Sequence, residues 1–310
     1  MSETCPACGA TLPDEPSLRG PDRLFGTPGT FEVYVCPECA TGRTMPAVST
    51  EDLAGLYPAT YDAHRLPGNP ALRALATLLF RVRYRRALKS PPLGALRAAQ
   101  PGRLLDVGSG RGDLGVILRE QGWDVTGLEP SEDACEEARE RGVQTMCGTL
   151  TTTAAELPGG YDAVVFQHSL EHVAEPAVDL ADARDLLRSG GLLLVSLPNF
   201  GSWQGRRFGA RWYHLDLPRH RTHFSPRGLE RLLLRQGFDP VEIAASTSMD
   251  GFAGSVEYRL FGRRRLDRGL GKYAMMAIGL GLAPAAALVN ALAGGGDILT
   301  AVATKPEAEE

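Results

Sequence analysis

The sequence lacks a net positive charge, which disfavours a chain built to bind nucleic acid. Its 310 residues carry 33 Lys and Arg against 37 Asp and Glu, so the formal charge is -4 and no global positive field attracts phosphates. Two arginine clusters, within 81–86 and 263–265, are expected to be solvated surface. The first 45 residues also lack a basic run with interleaved aromatics.

The length of the chain suits one large domain and one small one.

The start of the chain lacks the features of a secretory signal. Met1 is followed by Ser-Glu-Thr-Cys rather than by a basic segment and an apolar core. The expectation is a cytoplasmic protein in a reducing compartment. Cysteines there bind metals more often than they form structural disulfides.

Four of the six cysteines form two C-x-x-C pairs. Each pair can present two thiolates to one ion, which predicts a tetrahedral zinc site and a zinc ribbon over residues 1–45. A redox pair is the alternative, but no βαβ pattern surrounds either motif. The other two, Cys135 and Cys147, are expected to be core residues. The predicted structural zinc ligands are Cys5, Cys8, Cys36 and Cys39.

A glycine-rich turn at 103–113 follows a predicted strand and precedes a predicted helix. Gly108 and Gly110 let the backbone approach a ligand, which then faces the amides of the helix N-terminus. Asp113 stands where the dinucleotide pattern G-x-G-x-x-G requires its third glycine, so that pattern is incomplete. The turn predicts a cofactor pocket of another kind.

Two carboxylates indicate the cofactor. Asp106 ends the strand before the glycines, where it would repel a pyrophosphate but hold an ammonium group. Glu129 ends the next predicted strand and can accept both hydroxyls of a ribose. Ammonium plus ribose predicts S-adenosylmethionine.

Strands and helices alternate after residue 100, which predicts a parallel sheet with right-handed crossovers. Ligands of such sheets bind beyond the carboxyl ends of the strands. The residues expected in this crevice are Asp106, Glu129, Thr149, Leu150, Gln167 and His168. The seven predicted strands lie near 103–107, 123–128, 143–147, 161–166, 190–197, 238–246 and 297–304.

Residues 100–305 resemble class I S-adenosylmethionine-dependent methyltransferases, with the nearest resemblance to the UbiG-like group. The resemblance rests on D-V-G-S-G-R-G, the acidic end of the second strand, Y-D-A-V-V-F-Q-H-S-L-E-H-V at 161–173 and G-G-L-L-L-V-S-L-P-N at 190–199. It implies a Rossmann-like α/β sheet in the order 3-2-1-4-5-7-6, with the last strand antiparallel. The family usually has Asp where Gly148-Thr149 stands, so Thr149 or Leu150 would contact the adenine here.

Histidines are the candidates for removing a proton from the methyl acceptor. His168 follows the fourth strand, and His220 lies in a polar and aromatic segment after the fifth. We predict these two as base candidates, although an acceptor that is already nucleophilic needs no base. His172 is expected to be structural, with Glu171 as its partner. These two could also hold a divalent ion, but two ligands do not make a site.

Arg219 in the same segment has two interpretations. It could bind an anionic group of the acceptor, or it could pair with Asp216. Both remain open at the level of sequence.

Two segments frame the predicted domain of residues 101–310. Residues 46–100 are predicted to form a helical bridge. The segment with Tyr57 and Tyr61 resembles one that lies over the cofactor as a lid in related methyltransferases; alternatively, the two tyrosines are packing aromatics. The insertion 250–296 contains a stretch without charge from 273 to 296. Its glycines, Pro284 and the need of the last strand to rejoin the sheet argue for a helical hairpin rather than a membrane span. This hairpin is expected to contact a membrane surface, the acceptor pocket or a second subunit.

Taken together, the sequence predicts an S-adenosylmethionine-dependent methyltransferase that acts on an oxygen, nitrogen or carbon of a small or lipid-like metabolite. The first alternative is a nucleotide-sugar C-methyltransferase, since these also have a cysteine-rich domain before this fold, but their additional C-terminal domain is absent. The second is a non-catalytic nucleic-acid-binding protein. Asp106, the glycines and Glu129 argue against it.

Overall fold

The computed structural model describes residues 3–56, 93–248, 250–264, 281, 288–290, 292 and 295–307. Tyr57, Tyr61, the predicted helix at 72–88 and most of the stretch 273–296, with Pro284, lie outside the described residues. The predicted lid and helical hairpin therefore stay predictions.

A seven-stranded sheet forms the body of the protein. Its order is β10-β11-β8-β7-β4-β5-β6, which is the predicted 3-2-1-4-5-7-6 order counted from the other edge. The last strand is antiparallel to both of its neighbours, as predicted. The strands are β4 (Arg103–Val107), β5 (Asp124–Glu129), β6 (Gln144–Cys147), β7 (Tyr161–Gln167), β8 (Leu187–Pro198), β10 (Val241–Ser246) and β11 (Ile298–Thr304).

Helices cover both faces of this sheet. The alternation of apolar side chains along β4 explains this arrangement, since Leu104 belongs to the core on one face and Leu105 and Val107 to the core on the other. The described α-helices are α1 (Thr50–Gly55), α2 (Leu93–Ala98), α3 (Asp113–Arg119), α4 (Glu132–Glu140), α5 (Leu150–Thr153), α6 (Pro176–Leu186), α7 (Trp203–Phe208), α8 (Pro226–Arg235) and α9 (Asp250–Phe261). Among the described residues, no helix is both long and apolar enough to cross a bilayer.

A second, antiparallel sheet has the order β1-β2-β3-β9. Three of its strands come from the N-terminal segment: β1 (Leu18–Gly20), β2 (Phe31–Val35) and β3 (Gly42–Met45). The fourth, β9 (Thr222–His223), lies in the histidine-rich segment and pairs with β3. The predicted division of the chain at residues 45 and 100 stays a prediction, but strand pairing joins the N-terminal segment to the histidine-rich one.

Candidate functional site

The glycine turn after β4 has backbone angles that glycine accepts readily. Gly108, Gly110 and Gly112 have φ angles of +77°, +52° and +75°. A Cβ on Gly108 would lie 2.4 Å from that of Ser169, whereas a Cβ on Gly110 would meet nothing within 4 Å. Gly110 therefore presents bare backbone to open space, as a cofactor cradle requires.

Glu129 is fixed against this turn. Its Oε2 accepts the Gly110 amide at 2.9 Å, and its Oε1 accepts the Ser131 amide at 3.0 Å. Burial raises the pKa of Glu129, although these two amides partly oppose the shift. The parallel pairing of β4 and β5 thus brings together the glycines and the carboxylate predicted to bind the ribose.

Asp106 is a buried carboxylate at the end of β4, 1% exposed. Its Oδ2 has no hydrogen-bond partner within the described part of the chain. Burial, reinforced by the charge of Glu129, raises the pKa of Asp106 to about 7. A cation bound nearby would stabilise the ionised form of this group, so the orphaned oxygen fits the ammonium or sulfonium of S-adenosylmethionine.

The remaining predicted cofactor residues differ in exposure. Thr149 caps α5 and is half-buried, whereas Leu150 is fully buried in the core, where its side chain packs with apolar neighbours. Gln167 is half-buried at the end of β7, and its Oε1 has no partner among the described residues. Thr149 and Gln167 are therefore better placed than the Leu150 side chain for a polar contact.

Both predicted base candidates lie near one buried carboxylate, Glu171. His168 is 41% exposed in its side chain, and its Nδ1 lies 3.6 Å from Glu171 Oε1. It follows β7 with a φ of +56°, an uncommon angle for a residue with a Cβ. One ligand atom each from Glu171, His172 and His220 lies within 4.8 Å of the others, so the structure supplies a third ligand that the sequence pattern did not place there.

The histidines of this cluster are oriented by backbone carbonyls. His172 Nδ1 lies 3.1 Å from the Arg219 carbonyl, and His220 Nδ1 lies 2.9 Å from that of His214. Burial and the neighbouring His172 and His223 lower the pKa of His220 well below its ordinary value. His220 is therefore neutral near pH 7. Because Nδ1 is the protonated donor, Nε2 carries the lone pair.

Arg219 is paired with two carboxylates. Its guanidinium is fully buried and makes two 2.8 Å hydrogen bonds to Asp22, besides its bonds to Asp216. Of the two interpretations of Arg219, the structure favours the ion pair over anion binding. Arg219 pairs with Asp216, as predicted, and also with a second carboxylate, Asp22. Asp22 lies 197 positions away in the chain, and no local sequence signal identified it.

Cys147 also departs from its prediction. Cys135 is buried, but Cys147 is exposed, and the two are paired as a disulfide between α4 and β6. The predicted core position is therefore right for Cys135 and wrong for Cys147. Cys147 is the last residue of β6, and Cys135 lies near the start of the preceding helix, α4. Their separation of 12 residues in the sequence gave no indication that they would be neighbours.

The four N-terminal cysteines come together as predicted from their spacing. The sulfurs of Cys5 and Cys39 lie 3.5 Å apart, as do those of Cys8 and Cys36, and all four lie within 4.8 Å of one another. Tetrahedral zinc with bonds of about 2.3 Å separates its sulfurs by about 3.8 Å. The donor set and its spacing therefore fit the ion.

Comparisons with known proteins agree with this geometry. The family described as "Methyltransferase domain" matches residues 80–243. A ubiquinone biosynthesis O-methyltransferase of Dinoroseobacter shibae is 30% identical over 186 residues, which cover 56% of this chain and 73% of the relative. Its counterpart in Cereibacter sphaeroides is 33% identical over 152 residues, 45% of this chain and 61% of the relative.

Among solved structures, geranyl diphosphate C-methyltransferase from Streptomyces coelicolor is similar at 16% identity, with a TM-score of 0.49 over 83% of this chain and 97% of that one. From the family match, the glycine turn and the strand order, the chain belongs to the methyltransferase domain family and is a class I S-adenosylmethionine-dependent methyltransferase.

Proposed function

We propose that this enzyme methylates a hydroxyl oxygen of a small or lipid-like acceptor, bound beyond the carboxyl ends of β7 and β8. One observation carries the proposal. Glu171 is 2% exposed, and neither of its carboxylate oxygens has a hydrogen-bond partner in the described residues, yet three histidines surround it. A buried carboxylate without partners is costly, which supports a role in stabilising positive charge.

His168 is the proposed general base. A hydroxyl is a weak nucleophile until its proton leaves, whereas a neutral amine attacks without help, so a positioned base favours oxygen as the acceptor atom. His168 would take the proton, and Glu171, 3.6 Å from its Nδ1, would stabilise the resulting imidazolium. The names of the ubiquinone O-methyltransferase relatives support the same acceptor atom.

The cofactor, when bound, supplies an electrophilic methyl on a sulfonium. Asp106 would hold its positive end and Glu129 its ribose, while Gly108 and Gly110 admit it to the backbone. Thr149 or the backbone near Leu150 would contact the adenine, and Gln167 would line the crevice beside His168.

The test is a transfer assay with labelled S-adenosylmethionine and three acceptor pools: quinols and catechols, amines, and nucleotide sugars. The wild type is expected to label the hydroxyl pool. His168→Gln should lower kcat by about 100-fold or more while leaving the Kd of the cofactor unchanged. Preferential labelling of amines or sugars, or an unchanged kcat in His168→Gln, would contradict the proposal.

A second candidate mechanism follows from the same cluster. Glu171, His172 and His220 offer one oxygen and two imidazole nitrogens, a set that fits a divalent transition metal. Carbonyls orient both rings through Nδ1, as is usual for metal-bound histidine. Such an ion would polarise the acceptor hydroxyl, and activity would then vanish on dialysis against a chelator and return with metal. Full activity after chelation would leave His168 as the base.

We further propose a structural zinc ion bound by Cys5, Cys8, Cys36 and Cys39. Its place supports a role in holding the histidine-rich segment rather than in reading nucleic acid. The Ser225 hydroxyl donates to the Cys39 carbonyl, and Thr44, two residues past the start of β3, donates to the His220 carbonyl at 2.7 Å. The ribbon thereby braces the loop that carries His220.

A further inference from the structure

We infer that Cys135 and Cys147 form a reversible thiol–disulfide switch that controls the affinity for S-adenosylmethionine. The inference rests on the proposed role of Glu129 in binding the ribose. It extends the proposed function from the reaction to its regulation by peroxides and disulfides.

The pair lies at the adenosine end of the proposed cofactor site. Cys147 is the register partner of Glu129 across β5 and β6, and it is followed directly by Gly148 and Thr149. The Cys135 sulfur lies 3.2 Å from the Glu129 carbonyl, which also accepts the Gly148 amide at 2.9 Å. A change in either sulfur thus acts on the backbone that carries the ribose carboxylate.

The two cysteines have the complementary properties of an attacking and a resolving thiol. Cys147 is exposed, and the Arg139 guanidinium lies 3.3 Å from its sulfur, where it stabilises a thiolate. Cys135 is fully buried beside it, with a Cα separation of 6.1 Å that a disulfide can span. An accessible thiolate next to a resolving cysteine is the arrangement found in redox sensors.

The oxidation balances with one equivalent of hydrogen peroxide. The Cys147 thiolate attacks one peroxide oxygen, the O–O bond breaks, and the departing hydroxide takes a proton to become water. The Cys135 sulfur then attacks the sulfenic sulfur, the S–OH bond breaks, and that hydroxide leaves as water with the thiol proton. Two thiols and one peroxide give one disulfide and two waters, and a dithiol reverses the step by exchange.

The expected effect is weaker cofactor binding in the oxidised form. The Cys135 sulfur lies within hydrogen-bonding distance of the Glu129 carbonyl, so a reduced Cys135 thiol would donate its proton there, whereas the disulfide has no proton to donate. The disulfide also holds the end of β6 against α4, which restricts the turn at Gly148 and Thr149. Loss of one hydrogen bond of this kind corresponds to a Kd about 3- to 10-fold higher.

The sequence allows the crosslink itself to be observed. Trypsin cuts after Arg119, Arg139, Arg141 and Arg184, so Cys135 and Cys147 fall in separate peptides, 120–139 and 142–184, each with one cysteine. Full-length protein is treated with hydrogen peroxide and then with a dithiol. Peptide masses report the crosslink, a zinc-sensitive dye reports the N-terminal cysteines, and calorimetry gives the Kd of S-adenosylmethionine in each state.

We expect peroxide to join the two peptides without zinc release and to raise the Kd of S-adenosylmethionine about 3- to 10-fold. The dithiol should separate the peptides again and restore the original Kd. Cys147→Ser should bind S-adenosylmethionine like the reduced wild type, with a Kd that peroxide does not change. Cys135→Ser, which lacks the other sulfur, should likewise form no crosslink with peroxide. Failure of the crosslink, an unchanged Kd in crosslinked protein, or an equal response in Cys147→Ser would overturn the inference. If the reduced protein also fails to bind S-adenosylmethionine, the cofactor assignment falls as well.

Discussion

Asp106→Asn provides the sharpest test of the cofactor pocket, because it separates affinity from stability. Burial and the charge of Glu129 raise the pKa of Asp106 to about 7 in the free protein. A cationic cofactor prefers the ionised carboxylate, so below pH 7 the protein must release a proton before it binds. The Kd of S-adenosylmethionine should therefore rise about tenfold for each pH unit below 7, or about 30-fold between pH 8 and pH 5.5.

The stability of the free protein should change in the opposite direction. The folded pKa of Asp106 lies above its unfolded value near 3.8, so folding favours the protonated form and stability falls as the pH rises from about 4 through 7. The neutral Asn of Asp106→Asn avoids this penalty, worth about 4 kcal/mol for a shift from 3.8 to about 7. The variant should thus unfold at a higher temperature than the wild type at pH 8, yet bind the cofactor poorly.

The assay pairs calorimetric titration with thermal unfolding at pH 5.5, 7 and 8, in the absence and presence of S-adenosylmethionine. The variant should show a flat profile of Kd against pH. A wild-type Kd that does not depend on pH, or a variant that binds like the wild type, would refute the assignment of Asp106 to the cationic end of the cofactor.

Three further predictions concern the rest of the molecule. Asp22→Asn should destabilise the protein by about 3 to 5 kcal/mol in chemical unfolding, because it leaves the buried Arg219 with half of its carboxylate partners; a loss below about 1 kcal/mol would contradict the pairing. Burial alone would raise the pKa of Asp22, but the hydrogen bonds and charge of Arg219 outweigh it, so this stability should be lost as the pH falls below 4. Metal analysis should find one zinc per chain, lost in Cys36→Ser but retained in Cys147→Ser. Anionic vesicles should sediment the full chain but not a variant without residues 273–293 if the insertion meets a membrane, and equal sedimentation would exclude that role.

The sheet and the cofactor turn could be predicted because their signals are local. Apolar runs of strand length, clustered glycines and acidic strand ends lie within a few residues of one another in the sequence. The strand boundaries shifted by three residues or fewer, as for β8, which begins at Leu187 rather than 190. The order of the strands came from the family resemblance, since periodicity does not determine which strands are neighbours.

The acceptor side could not be predicted to the same depth because its contacts are distant in sequence. Arg219 meets Asp22 across 197 positions, and β9 joins a sheet made by the N-terminal segment. His220 comes close to Glu171 because the histidine-rich segment returns to it, with the amide of the next residue, Arg221, donating to the Glu171 carbonyl. The spacing of cysteines in the sequence reveals the two C-x-x-C pairs. It gives no sign of a buried ion pair or of a cysteine that faces a neighbouring helix.

The central claim is that S-adenosylmethionine binds between the glycine turn and Glu129, and one calorimetric titration tests it directly. The wild type should bind one S-adenosylmethionine per chain. Glu129→Ala, which removes the acceptor of the Gly110 and Ser131 amides and of the ribose hydroxyls, should weaken binding by about 100-fold or more. Equal affinity of the two proteins would contradict the account.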